Sequence, residues 1–76
     1  MSLENQVKDL LNDFDNASSE KILEVLTQIK PQFKSTLTSE YLQGKLQKIS
    51  EEKDESEKKK QCKALTPYLD WYLQGL

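Results

Sequence analysis

Apolar residues recur every three or four positions between residues 2 and 30, as they do on one face of an amphipathic helix. This pattern predicts a first helix over residues 2–14 and a second from Ser18 or Ser19 to about Lys30. A serine can cap each N-terminus, and Pro31 ends the second helix because the residue before a proline disfavours the helical conformation. The two apolar stripes are Leu3, Val7, Leu10, Leu11 and Phe14, then Ile22, Leu23, Val25, Leu26 and Ile29.

A third helix is predicted from about residues 36–38 to Ser50. Phe33 lies in the connection before it, and we expect this side chain to plug one end of a core. Gly44 interrupts the helix at a cost of about 1 kcal/mol relative to alanine, so we expect it to have a packing reason or to mark a bend. The predicted stripe is Tyr41, Leu42, Leu46 and Ile49, with Leu37 at the start of the helix.

The segment 50–60 is almost entirely charged, and it is predicted to be a loop followed by a solvated helical turn. Asp54 with Glu57 three residues later is typical of a capping box at a helix start. A nucleic-acid patch built from Lys58, Lys59, Lys60 and Lys63 is the alternative interpretation. The acids that precede these lysines largely cancel their field, which argues against that alternative.

The C-terminal segment carries a predicted fourth helix that Pro67 divides. The helix either kinks there or ends near Leu65 and restarts, and we favour a restart with Thr66 as N-cap and Pro67 at the first helical position. Gly75 is placed to end the last helix. The residues predicted to close the core from this segment are Cys62, Leu65, Leu69, Tyr72, Leu73 and Leu76.

These elements predict an all-α fold, a compact bundle of four to five short helices in a single domain over residues 1–76. Strand signals are missing, because the sequence has no alternating β-branched run and no Asn-Gly or Asp-Gly turn. A chain of this length buries a small core and is marginally stable.

Composition argues against most catalytic and metal-dependent chemistry. The chain has no histidine and no arginine, and Cys62 is its only cysteine. A zinc site or a histidine-based acid–base pair therefore cannot be assembled, and duplex-DNA recognition lacks its preferred side chain. Two glycines cannot form a phosphate-binding loop. We expect a non-catalytic protein with no cofactor and no membrane span, in a reducing intracellular compartment, with Cys62 as a buried hydrophobe.

Tyr68 and Trp71 are the candidate contact residues. On a helical wheel they fall about 120° from the centre of the apolar stripe of the last segment, together with Ala64. Packing at the edge of a small core is the alternative for Trp71. The functional interpretation is that both aromatics line a groove for an apolar side chain of a partner, as aromatics do in interface hot spots.

The order of elements resembles the N-terminal (LW) domain of the transcription elongation factor TFIIS. A leucine-rich helix (22–29) is followed by a helix before a glycine (37–44), the post-glycine stretch 46–50, a charged linker, and a helix with Ala64-Leu65 and Trp71. The resemblance implies a nuclear scaffold domain that captures short disordered motifs of transcription partners, often acidic and containing phenylalanine. It also implies a groove near Leu46, Ile49 and the last helix.

The sequence thus predicts a protein-interaction module that binds a short peptide or a partner helix, with Tyr68, Trp71, Leu46 and Ile49 as candidate partner-binding residues. The alternative is a structural subunit, or a self-associating helical piece of a larger assembly.

Overall fold

The computed structural model describes residues 2–76 and shows a helical bundle, which confirms the all-α prediction. Within these residues there is no strand. The C-terminal segment forms two separate α-helices, as the restart interpretation predicted, and Pro67 lies in the first turn of the second one. The α-helices are α1 (Leu3–Asn12), α2 (Ser19–Ile29), α3 (Thr36–Ser50), α4 (Glu55–Lys63) and α5 (Thr66–Leu73), and 3₁₀ turns cover Phe14–Asn16 and Lys30–Gln32.

Polar side chains cap four of the five α-helices at their N-termini. Ser2, Ser18 and Ser35 each accept a hydrogen bond from the backbone N–H three residues later, at 3.2, 3.1 and 3.4 Å. Asp54 accepts from the N–H of Ser56 at 3.0 Å. Each bond satisfies a donor that the first helical turn leaves unpaired.

The central helix of the bundle is α2, which packs against α1, α3, α4 and α5. Its residues Ile22, Val25, Leu26 and Ile29 are completely buried. Phe33 is buried as expected, and so is Cys62. The core consists of Val7, Leu10, Phe14, Ile22, Val25, Leu26, Ile29, Phe33, Leu42, Leu46, Ile49, Cys62, Leu65, Tyr68 and Leu69.

Polar contacts help to hold the highly charged α4 against the bundle. Lys59 donates to the backbone carbonyls of Ala17 and, at 3.3 Å, of Asp15, and its ammonium lies 5.5 Å from the centroid of the Phe14 ring. The hydroxyl of Ser19, itself buried, donates to the carboxylate of Glu55. The segment is therefore more than a solvated turn, and one lysine of the alternative nucleic-acid patch has a structural role.

The α4–α5 junction differs from the predicted cap. Leu65, not Thr66, is the N-cap residue of α5, and Thr66 already lies in the first turn, where its hydroxyl donates to the carbonyl of Lys63 at 2.9 Å. At the other end Gly75 has a φ of +82°, a conformation that glycine adopts without strain and that ends the helix as predicted.

Candidate protein-binding surface

Four large apolar side chains stay exposed in the described part of the chain. They are Leu37, Tyr41, Trp71 and Leu76, with exposed fractions of 57%, 60%, 39% and 55%. Leu37 and Tyr41 are separated by one turn of α3 and so share a face of that helix. The backbone N–H of Leu76 bonds to the carbonyl of Trp71 at 3.0 Å, which keeps these two residues together after α5.

Tyr68 connects the exposed residues of α3 with those of α5. Its ring stands edge-on to Trp71, with 5.1 Å between the centroids, and edge-on to Phe33 at 6.1 Å. Burial raises the pKa of the Tyr68 phenol, and the nearby hydroxyl of Tyr41 raises it further. Tyr68 and Trp71 are therefore packed together, and Tyr41 is near enough for its phenol to interact electrostatically with that of Tyr68. We call Leu37, Tyr41, Tyr68 and Trp71 the α3–α5 surface.

Tyr68, which was predicted to line a groove open to a partner, is only 8% exposed, so the expectation that it is accessible is wrong. A helical wheel places Tyr68 on a flank of its own helix but does not show that Phe33, from the connection before α3, covers that flank. Tyr68 is thus a buried support for the α3–α5 surface. Trp71, the other predicted aromatic, is exposed enough to contact a partner.

Leu46 and Ile49, the two predicted groove residues of α3, belong to the core. Ile49 also lines an open cleft of about 260 Å³ between α3 and the end of α4. Ala64 and Leu65 supply the apolar wall on the α4 side, and Lys45 and Lys48 lie on the α3 side. Leu46 does not line this cleft.

The cleft and the α3–α5 surface are formed by neighbouring residues of the chain. Lys45 lies one helical turn after Tyr41, and Leu65 accepts a hydrogen bond from the backbone N–H of Tyr68 at 3.0 Å. On both helices, residues that line the cleft are therefore within one turn of a residue of the α3–α5 surface. The combined feature offers apolar contacts along its length and lysines on one wall.

Leu37 and Tyr41 are functional candidates that were not predicted as such: Tyr41 was placed in the apolar stripe of the third helix, and Leu37 at its start. A signal was present, because Tyr41 lies about 100° and Leu37 about 140° from Leu42 on the helical wheel, whereas Leu46 and Ile49 cluster with Leu42. Leu76 was also expected to close the core and is exposed. Tyr72 and Leu73, which were also expected to close the core, are partly buried and pack against it.

Reactive chemistry is not apparent in the described residues. Burial, with a further contribution from Glu55, raises the pKa of the Cys62 thiol, so at neutral pH the sulfur stays protonated. Residues 2–76 contain no group of three His, Cys, Asp or Glu side chains that could hold a metal ion. Across the same residues, no helix combines the length and apolar character that crossing a membrane requires.

Comparisons with known proteins give no relative for this chain. No protein-family model matches it, no curated protein matches it, and no solved structure matches it.

Proposed function

We propose that this protein is a non-catalytic interaction module that binds a short peptide or a partner helix on the α3–α5 surface and the adjoining cleft. The observation that carries the proposal is the exposure of Leu37, Tyr41 and Trp71 beside a core that is otherwise enclosed. Large aromatics at a surface supply much contact area at low entropic cost, which is why they are frequent in interface hot spots.

The rigidity of the support favours this use of the surface. Trp71 packs edge-on against a buried tyrosine, which itself packs against the buried Phe33. A side chain held in this way loses little freedom on binding, so more of the contact free energy appears as affinity. The adjoining cleft provides a second place for an apolar side chain of the same partner.

The nuclear, transcription-linked role that the resemblance implies stays a prediction. This role depends on the identity of the partner. The α3–α5 surface does not specify that identity, because it is compatible with many apolar motifs.

A displayed library of random 16-residue peptides tests the proposal. Peptides selected on the wild-type chain are titrated by fluorescence anisotropy into Trp71→Ala, Tyr41→Ala and, as a matched control, Leu23→Ala, a half-buried leucine on α2. We expect the first two variants to weaken binding at least tenfold, about 1.4 kcal/mol, as hot-spot truncations do. The control should bind within about twofold of the wild type.

Two outcomes would overturn the proposal. One is that repeated selections yield no peptide that binds a folded wild-type chain. The other is that selected peptides bind Trp71→Ala and Tyr41→Ala as tightly as the wild type, which would place the contact elsewhere.

A further inference from the structure

Gly44 has no packing reason within the molecule. It lies inside α3 on an exposed position, and a Cβ built there would meet no atom within 4 Å. Its φ is in the ordinary helical range rather than the left-handed region, so the backbone does not require glycine either. The helix nevertheless carries the stability cost of an interior glycine.

A glycine on an exposed helix face allows another backbone to come close, because no side chain keeps the two apart. Leu37 lies on nearly the same side of α3, about 20° from Gly44 on the helical wheel. Glu40 precedes Gly44 by one turn and Lys48 follows it by one turn. We call these four residues the outer face of α3.

This arrangement of charges is self-complementary. When two copies of α3 cross in opposite directions with their Gly44 positions together, Glu40 of each copy lies beside Lys48 of the other. Within residues 2–76 neither Glu40 nor Lys48 forms an ion pair, since the one salt bridge there joins Lys8 to Glu4. The antiparallel direction also sets opposite ends of the two helix dipoles against each other.

We propose that a second copy of this chain binds at the outer face of α3, as an antiparallel α3–α3 pair that crosses at Gly44. Two symmetric Glu40–Lys48 ion pairs flank the crossing, and Leu37 is covered at its edge. A two-fold symmetric pair is closed and does not propagate into a filament. A contact of two helices buries less than the ~1,200 Å² typical of stable interfaces, so the dimer is weak.

Charge-reversal variants of Glu40 and Lys48 test the proposal. Their association is measured by sedimentation equilibrium at low salt, at concentrations from about 10 μM to 1 mM. We expect the wild type to dimerise, and Glu40→Lys and Lys48→Glu each to remain monomeric because like charges then meet across the axis. An equimolar mixture of the two variants should form a heterodimer, since every charge again faces its opposite. Glu24→Lys, the same charge change on α2, should leave dimerisation unchanged.

The variant Gly44→Ala distinguishes a role of Gly44 in the dimer contact from a role in the folding of the monomer. The added Cβ has space in the monomer, so the equilibrium constant for folding should rise about fivefold while dimerisation weakens. The proposal is overturned if the wild type stays monomeric at 1 mM, if the mixed variants do not associate, or if Gly44→Ala dimerises as well as the wild type. Leu37 belongs to both surfaces and Lys48 also lines the cleft, so a bound peptide and a second copy compete for this side of α3. Because peptide binding is measured on Trp71 and Tyr41 variants, which lie outside the dimer contact, the two proposals can still fail independently.

Discussion

The helices α2 and α3 differ in how much of their apolar surface the molecule itself covers. In α2, Ile22, Val25, Leu26 and Ile29 are completely enclosed by four neighbouring helices. In α3 the buried residues are flanked by Leu37 and Tyr41, which remain more than half exposed. The apolar stripe of α2 is accounted for by folding alone, whereas that of α3 is wider than its own core requires. This excess of exposed apolar surface is the main reason for proposing a peptide-binding role for α3.

Truncating the centre of α2 should have the largest effect on stability. Leu26→Ala removes a fully buried side chain and leaves a cavity, so the free energy of unfolding should fall by about 2–5 kcal/mol. In a domain of this size such a loss can leave the chain partly unfolded at 25 °C. Urea unfolding followed by circular dichroism measures it. A loss below about 1 kcal/mol would contradict the central place of α2.

Removing the serine caps of α2 and α3 should give intermediate effects that differ between these two helices. Ser18→Ala should cost about 1 kcal/mol, because the Ser18 oxygen accepts from the Lys21 N–H at 3.1 Å. Ser35→Ala should cost less, since its bond to the Thr38 N–H is longer, at 3.4 Å. The urea unfolding midpoints of both variants, measured at the same pH, show which substitution costs more stability. A larger loss of stability for Ser35→Ala than for Ser18→Ala would contradict this prediction.

Polar substitution at Tyr41 should have the smallest effect on folding. The side chain is 60% exposed, so Tyr41→Ser should change the free energy of unfolding by no more than about 0.5 kcal/mol. The same change should weaken the binding of selected peptides at least tenfold. Thermal unfolding of the free chain provides the measurement, and a loss above about 1.5 kcal/mol would show that Tyr41 is a core residue after all.

The fold could be predicted well from local signals. Serines before apolar stripes, Pro31 after the second helix and Pro67 inside the last one located α1, α2, α3 and α5 to within about two residues. The nine-residue α4 was predicted only as a solvated turn, because its charged residues show no apolar stripe. Thr66 was assigned one position too late as a cap, because the wheel and the proline rule do not show that Leu65 already leaves the helical path. A packing reason for Gly44 was one of two expectations, and it is wrong because a Cβ built there would meet no atom within 4 Å; the other, a bend in α3, stays a prediction.

The candidate site could be predicted only in part. Trp71 was identified from its position on the flank of the helix. The burial of Tyr68 depends on its contact with Phe33, which comes from another part of the chain, so the spacing of residues within one helix cannot predict it. Tyr41 was missed although its angular distance from Leu42 was available. The cleft beside Ile49 depends on how α3 packs against α4, which the sequence pattern does not specify.

The central claim is that the α3–α5 surface is a contact surface rather than surplus hydrophobic area. A titration of the tightest selected peptide into the ¹⁵N-labelled chain, followed by amide chemical shifts, tests it most directly. The account predicts the largest shifts at Leu37, Tyr41, Ala64 and Trp71, including the indole N–H, with α1 unchanged. Shifts concentrated on α1 and the outer side of α2, with the Trp71 indole unmoved, would contradict it.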